Sequence, residues 1–127
     1  MKLNFRIVAM TNALILFSLA LIWMFAPNIL LSSWGVEYSY AVGMLSRRGA
    51  ATYAGVSVML FYARNAPPSQ IRSALVAGFG VACLTLAALG VMEFVTGHAR
   101  IEILTAVFIE IAIAMTLWYA NKEKAAT

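Results

Sequence analysis

Long apolar stretches separated by short polar breaks make up the chain, and the stretches are too long and too continuous for the alternation of a soluble fold. The first runs over 7–26, behind Lys2 and Arg6, and stops at Pro27. The others run over 41–63, 71–96 and 99–120, the last closing on Trp118, Tyr119 and a charged tail. Crossing the hydrocarbon core takes about 20 predominantly apolar residues. The pattern therefore predicts an all-α polytopic membrane protein: four transmembrane helices in an antiparallel up-down bundle, forming one membrane domain over residues 1–127.

The breaks have their own chemistry. Trp34, Tyr38 and Tyr40 punctuate the mixed stretch after Pro27 and read as interfacial, because their rings are apolar while their N–H or O–H groups want polar partners. Arg64-Asn65-Ala66-Pro67-Pro68-Ser69 ends the second helix, with Ser69 placed to cap the third. Gly97-His98 reads as a short turn. The first run exceeds the about 7–15 residues of a secretory h-region, so it reads as a spanning helix despite the small-x-small triplet Ser18-Leu19-Ala20. In the third run Ala74, Gly78, Ala82 and Gly90 share one stripe, where close helix contact is expected.

Composition supports the membrane reading: 63% of residues are hydrophobic and 11% charged, against about a quarter charged in soluble domains. The net charge of +4 does not point to nucleic acid, because the basic residues flank apolar runs instead of clustering on one face. Lys2, Arg6, Arg64, Arg72, Lys122 and Lys124 fall on one side of the four crossings. Glu37, Glu93, His98 and Arg100 fall on the other. The positive-inside rule then puts both termini and the Pro67-Pro68 loop in the cytoplasm. Cys83 is the single cysteine; it excludes an intramolecular disulfide or Cys-pair motif and reads as a small buried apolar residue. The two halves carry no repeat that would indicate an inverted-repeat transporter.

Ionisable residues inside the spans carry the chemistry, since a charge near the bilayer centre costs at least about 2.5–3.5 kcal/mol. At a rise of about 1.5 Å per residue, Arg47 and Arg48 lie about 10 Å below the outer face, Glu102 about 4 Å and Glu110 about 16 Å. Glu102 and Glu110 are about 80° apart around their helix, so both can face the interior. Ion pairing is expected between Arg47 or Arg48 and Glu110 or Glu102, with Glu93 as a shallow acceptor. This network is either a fastening between helices or a site for a proton or small ligand. Glu93, His98 and Glu102 could hold a divalent cation, but a solvated turn is the preferred reading. Asn12, Thr11, Tyr53 and Ser57 read chiefly as hydrogen-bonding partners between helices. Nucleophile, zinc-protease and phosphate-loop motifs are absent, and no cofactor is expected.

Helix 2 opening with Ser46-Arg47-Arg48-Gly49-Ala50, the Ala63-to-Ser69 turn, a Gly/Ala-rich third helix and an acidic fourth helix together resemble the DoxX-like small four-helix membrane proteins of bacteria. The resemblance covers most of the chain from about Trp34 onward. It implies a compact bundle in the bacterial inner membrane and, as in some relatives, association with redox proteins, although this chain has no Cys pair for thiol chemistry of its own. The expected function is a non-enzymatic inner-membrane protein: a subunit or a binder of a small amphipathic ligand or lipid, with the bilayer, a second copy or another membrane protein as partners. The alternatives are a proton-coupled transporter using Glu110 and a membrane-embedded lipid or sterol isomerase. What surrounds Glu110 discriminates among them.

Overall fold

A computed structural model describes residues 3–122 and is all-α, with helices α1 (Phe5–Phe25), α2 (Pro27–Ser33), α3 (Tyr40–Ala63), α4 (Gln70–Val95) and α5 (Ile103–Lys122). Lys2 and Lys124, two of the orientation residues, lie outside the described residues. Three helices, α1, α4 and α5, are long and apolar enough to cross a membrane, which gives the chain the character of a membrane protein. At 24 residues α3 matches them in length. Its apolar run is interrupted by Arg47, Arg48 and a series of small and hydroxylated residues.

Local chemistry sets the boundaries. Pro27 drives Ala26 out of the helical region (φ −142°, ψ 53°) because its ring clashes with a helical residue before it. It then serves as the first residue of α2, where its missing N–H costs nothing. The stretch expected to be merely interfacial thus contains a helix of its own. Ser39 caps α3, accepting from Val42 N–H at 3.2 Å. Ser69 caps α4 as expected, accepting from Arg72 N–H at 3.2 Å.

Both α2 and α4 end on a glycine with positive φ, Gly35 at 75° and Gly97 at 82°, a conformation that side chains with a Cβ resist. Each end carries the same paired bonds back into the last turn. Val36 N–H donates to Leu31 O at 2.8 Å and Gly35 N–H to Ser32 O at 3.1 Å; His98 N–H donates to Glu93 O at 3.0 Å and Gly97 N–H to Phe94 O at 3.1 Å.

The last helix begins at Ile103, not at residue 99 as the apolar pattern predicts. Arg100 N–H donates to Trp34 O at 2.8 Å, which commits that backbone to α2, and its side chain lies over Gly35, where a Cβ would come within 2.9 Å of Arg100 Cγ.

Packing is organised as two pairs. α1 lies along α3 and α4 along α5, while α1 against α5 supplies the main seam between the pairs. Leu16, Leu60, Cys83, Ile113 and Leu117 belong to the shared core, and Asn12 Nδ2 donates to Thr116 Oγ1 across the seam at 3.3 Å. Of the expected small-residue stripe on the third run only Gly90 makes the close contact; Ala74, Gly78 and Ala82 face outward. α4 instead seats its Arg72, Val76, Cys83, Ala87 and Gly90 face, and a Cβ on Gly90 would meet Val107 Cγ2.

Arg72 fastens one end of the molecule. It is 5% exposed. Its Nε donates to Asn121 Oδ1 at 2.9 Å, Nη1 to Ala66 O at 3.0 Å and Nη2 to Asn121 O at 3.2 Å, and its guanidinium lies 4.1 Å above the Phe5 ring. One planar, multiply donating cation thereby joins the start of α1, the α3–α4 turn, the start of α4 and the end of α5, where carbonyls carry the negative end of the helix dipole.

Candidate functional site

The acidic half of the expected network faces a cavity between the helices; the basic half does not. Arg48 is exposed and Arg47 half-buried. Neither has a carboxylate within ion-pairing distance: among the described residues the basic–acidic contact that does form is His98 Nδ1 with Glu93 Oε2, at 3.2 Å, charged on both sides only when the imidazole is protonated. The expected Arg–Glu bridges are therefore absent, for a reason of packing. Their pairing needs α3 beside α5, but α3 is engaged with α1 and makes little or no direct contact with α4 or α5.

The separation of α3 from α4 and α5 leaves space around Glu110. Two adjoining lobes, of about 230 Å³ and about 310 Å³, are both lined by Trp23, Trp34, Tyr53, Leu86, Ala106 and Glu110. Glu102, Thr105 and Cys83 line the first as well, and Ser46, Gly49 and Glu93 the second. Trp23 and Trp34 pack ring against ring, with centroids 5.3 Å apart and planes tilted by 56°. This pair exists because Pro27 breaks the chain and folds α2 back beside the end of α1. The remaining walls are aliphatic, supplied by residues such as Leu16, Leu19, Ile109 and Ile113.

Glu110 is the chemical centre of this space. Its Oε2 is shielded from outside and has no hydrogen-bond partner, alone among the buried side-chain polar atoms of the described residues. A polar group buried without a partner costs about 1–3 kcal/mol, and more when it is charged. Folded proteins satisfy nearly all such atoms. Glu110 Oε2 is thus an exception to that rule, set in a largely apolar cavity. No protein-family model, curated protein or solved structure matches this chain. Its function has to be read from its own geometry.

Other expectations resolve individually. Asn12 bonds across to α5, Ser57 Oγ bonds within its own helix to Ala54 O at 2.8 Å, Thr11 is exposed, and Tyr53 alone of that set lines the cavity. Among the described residues no three His, Cys, Asp or Glu side chains come together as a metal would require, so Glu93 and His98 meet each other but do not gather Glu102. Cys83 is buried, as expected, and also borders the first lobe. Arg72, read from the sequence as an orientation residue, is the buried cation. Its signal lay in its register, because it continues the buried stripe of α4 at i, i+4 with Val76.

Proposed function

We propose that this chain is a small bacterial inner-membrane protein of the DoxX-like kind that binds a small amphipathic molecule around Glu110 and performs no covalent chemistry on it. In this reading α1, α3, α4 and α5 are four crossings in up-down order, α2 lies at the outer interface, and both termini are cytoplasmic. The crossing added to the three long apolar helices is α3, whose 24 residues span about 36 Å at 1.5 Å per residue and whose arginines reach toward headgroups along their aliphatic stems.

The observation that carries the reading is the partnerless Glu110 Oε2 in a cavity walled by aromatic and aliphatic side chains. An apolar pocket holding a few convergent polar groups is the usual form of a small-molecule site. A second reading, proton-coupled transport, draws on the fact that Glu110 lines both lobes, so that one carboxylate could be met by a proton or by a cargo.

Thermal unfolding in a nonionic detergent with a linear alkanol tests the binding reading. The alkanol is expected to raise the wild-type Tm as it saturates the cavity, following the mass-action stabilisation of about 2.7 kcal/mol at a hundredfold excess over Kd. The Ala106→Phe variant fills space common to both lobes and is expected to lose that rise. An alkanol that leaves the wild-type Tm unchanged, or raises both proteins equally, would sink the reading.

A further inference from the structure

Among the described residues, two of the carboxylates at the cavity, Glu102 and Glu110, have no basic side chain against them, while Glu93 meets His98. Three carboxylates, Glu93, Glu102 and Glu110, line its lobes, and no lysine, arginine or histidine does, in a chain whose overall charge is +4. Glu102, exposed, precedes α5 and Glu110 lies about two turns into that helix, so one carboxylate stands near the mouth by the 96–102 turn and the other deeper inside. The arginines that could have neutralised them are held away on α3. Beside the carboxylates the lining includes Trp23, Trp34 and Tyr53, and aromatic rings attract organic cations by about 0.5–2 kcal/mol each.

The cavity also has a side from which a guest can come. Its second lobe is bounded by Ser46 and Gly49 of α3 on one side and by Leu86 and Leu89 of α4 on the other. These two helices scarcely touch, and Gly49, Leu86 and Leu89 are themselves exposed on the outer surface. That surface is the one that lipid tails would cover. Around Gly49 nothing lies within 4 Å of an added Cβ, so the space beside α3 is open.

From this charge pattern and this opening we infer that the ligand is a lipophilic organic cation, an amine on an apolar body. It enters from the bilayer between α3 and α4 and sets its charged head on Glu110. A metal ion does not fit the same facts, since the carboxylates are spread along the cavity and do not converge. An anionic amphiphile such as a fatty acid would meet the unpartnered carboxylates of Glu102 and Glu110. The inference rests on the ligand-binding reading above and adds to it the sign of the ligand and its route.

Titration calorimetry with dodecylammonium, dodecanol and dodecanoate, each against wild type and Glu110→Gln in the same uncharged micelles, separates the two claims. Dodecylammonium is expected to bind wild type at least about tenfold more tightly than dodecanol, a difference of about 1.4 kcal/mol, with dodecanoate weakest. Glu110→Gln is expected to keep dodecanol binding and lose the preference for the amine. Glu102→Gln, at the mouth, is a milder variant expected to reduce the preference severalfold should Glu110→Gln fail to fold. Equal affinity for amine and alkanol in wild type overturns the cation assignment while leaving ligand binding intact; absence of binding by all three overturns both. For the route, stopped-flow tryptophan fluorescence should show dodecylammonium entering Gly49→Phe at least about tenfold more slowly than wild type. An unchanged entry rate in that variant overturns entry between α3 and α4.

Discussion

Arg72 and Glu110 are both ionisable side chains set among apolar neighbours, and the protein treats them in opposite ways. Arg72 spends three donors on Asn121 and Ala66 and lays its guanidinium on Phe5. Glu110 keeps an oxygen with no partner at all. A buried charge with every contact satisfied holds elements together, because removing it would strand the carbonyls it serves. A buried charge left unsatisfied contributes nothing to the fold it sits in and costs stability until something arrives to meet it. The end of the molecule at Arg72 is fastened on every side, while the space at Glu110 holds an unmet oxygen, which the proposed ligand would meet.

That contrast can be put under strain by substitution. The largest effect is expected from Arg72→Met, which removes three hydrogen bonds and a cation–π contact and should lower stability by about 3 kcal/mol in chemical unfolding. Arg72→Lys should lose about half as much, since an ammonium cannot reproduce the planar fork that reaches Asn121 and Ala66 together. An unaffected Arg72→Met protein would break the comparison at its stronger end. Next, Glu110→Leu should raise stability by about 1 kcal/mol by removing an unsatisfied polar group from an apolar wall; a clear loss would mean that Glu110 has a structural partner after all. The smallest effect is the most diagnostic. Arg47→Gln and Glu110→Gln, alone and combined, should show a coupling under about 0.5 kcal/mol, as expected of residues that do not touch.

Features with a local cause could be read directly from the chain. Pro27 marks the end of α1, Ser69 the cap of α4 and Gly97 the turn after it, because each acts through its own backbone within a few residues. Features that depend on which helix neighbours which could not. Arg47 was an attractive partner for Glu110 by depth alone, yet depth says nothing about whether α3 lies beside α5. The late start of α5 has the same origin, since a carbonyl from residue 34 claims the N–H of residue 100. Glu93, Glu102 and Glu110 were recognisable as unusual residues for a membrane span. That they line one cavity, with Glu102 and Glu110 lacking a basic counterpart, became visible only when the helices were placed.

The pairing of α1 with α3 and of α4 with α5 also bears on the order in which the protein assembles. Each pair closes mostly on contacts made within itself, so the first can settle once residues through Ala63 have been synthesised, before α4 exists. Assembly of this kind proceeds from the N-terminus in units. The bonds from Arg72 to Asn121 lie within the second pair and wait for the end of α5. The same arginine also reaches Phe5 of α1 and Ala66 of the α3–α4 turn, so its full set of contacts is complete only when the two pairs have come together.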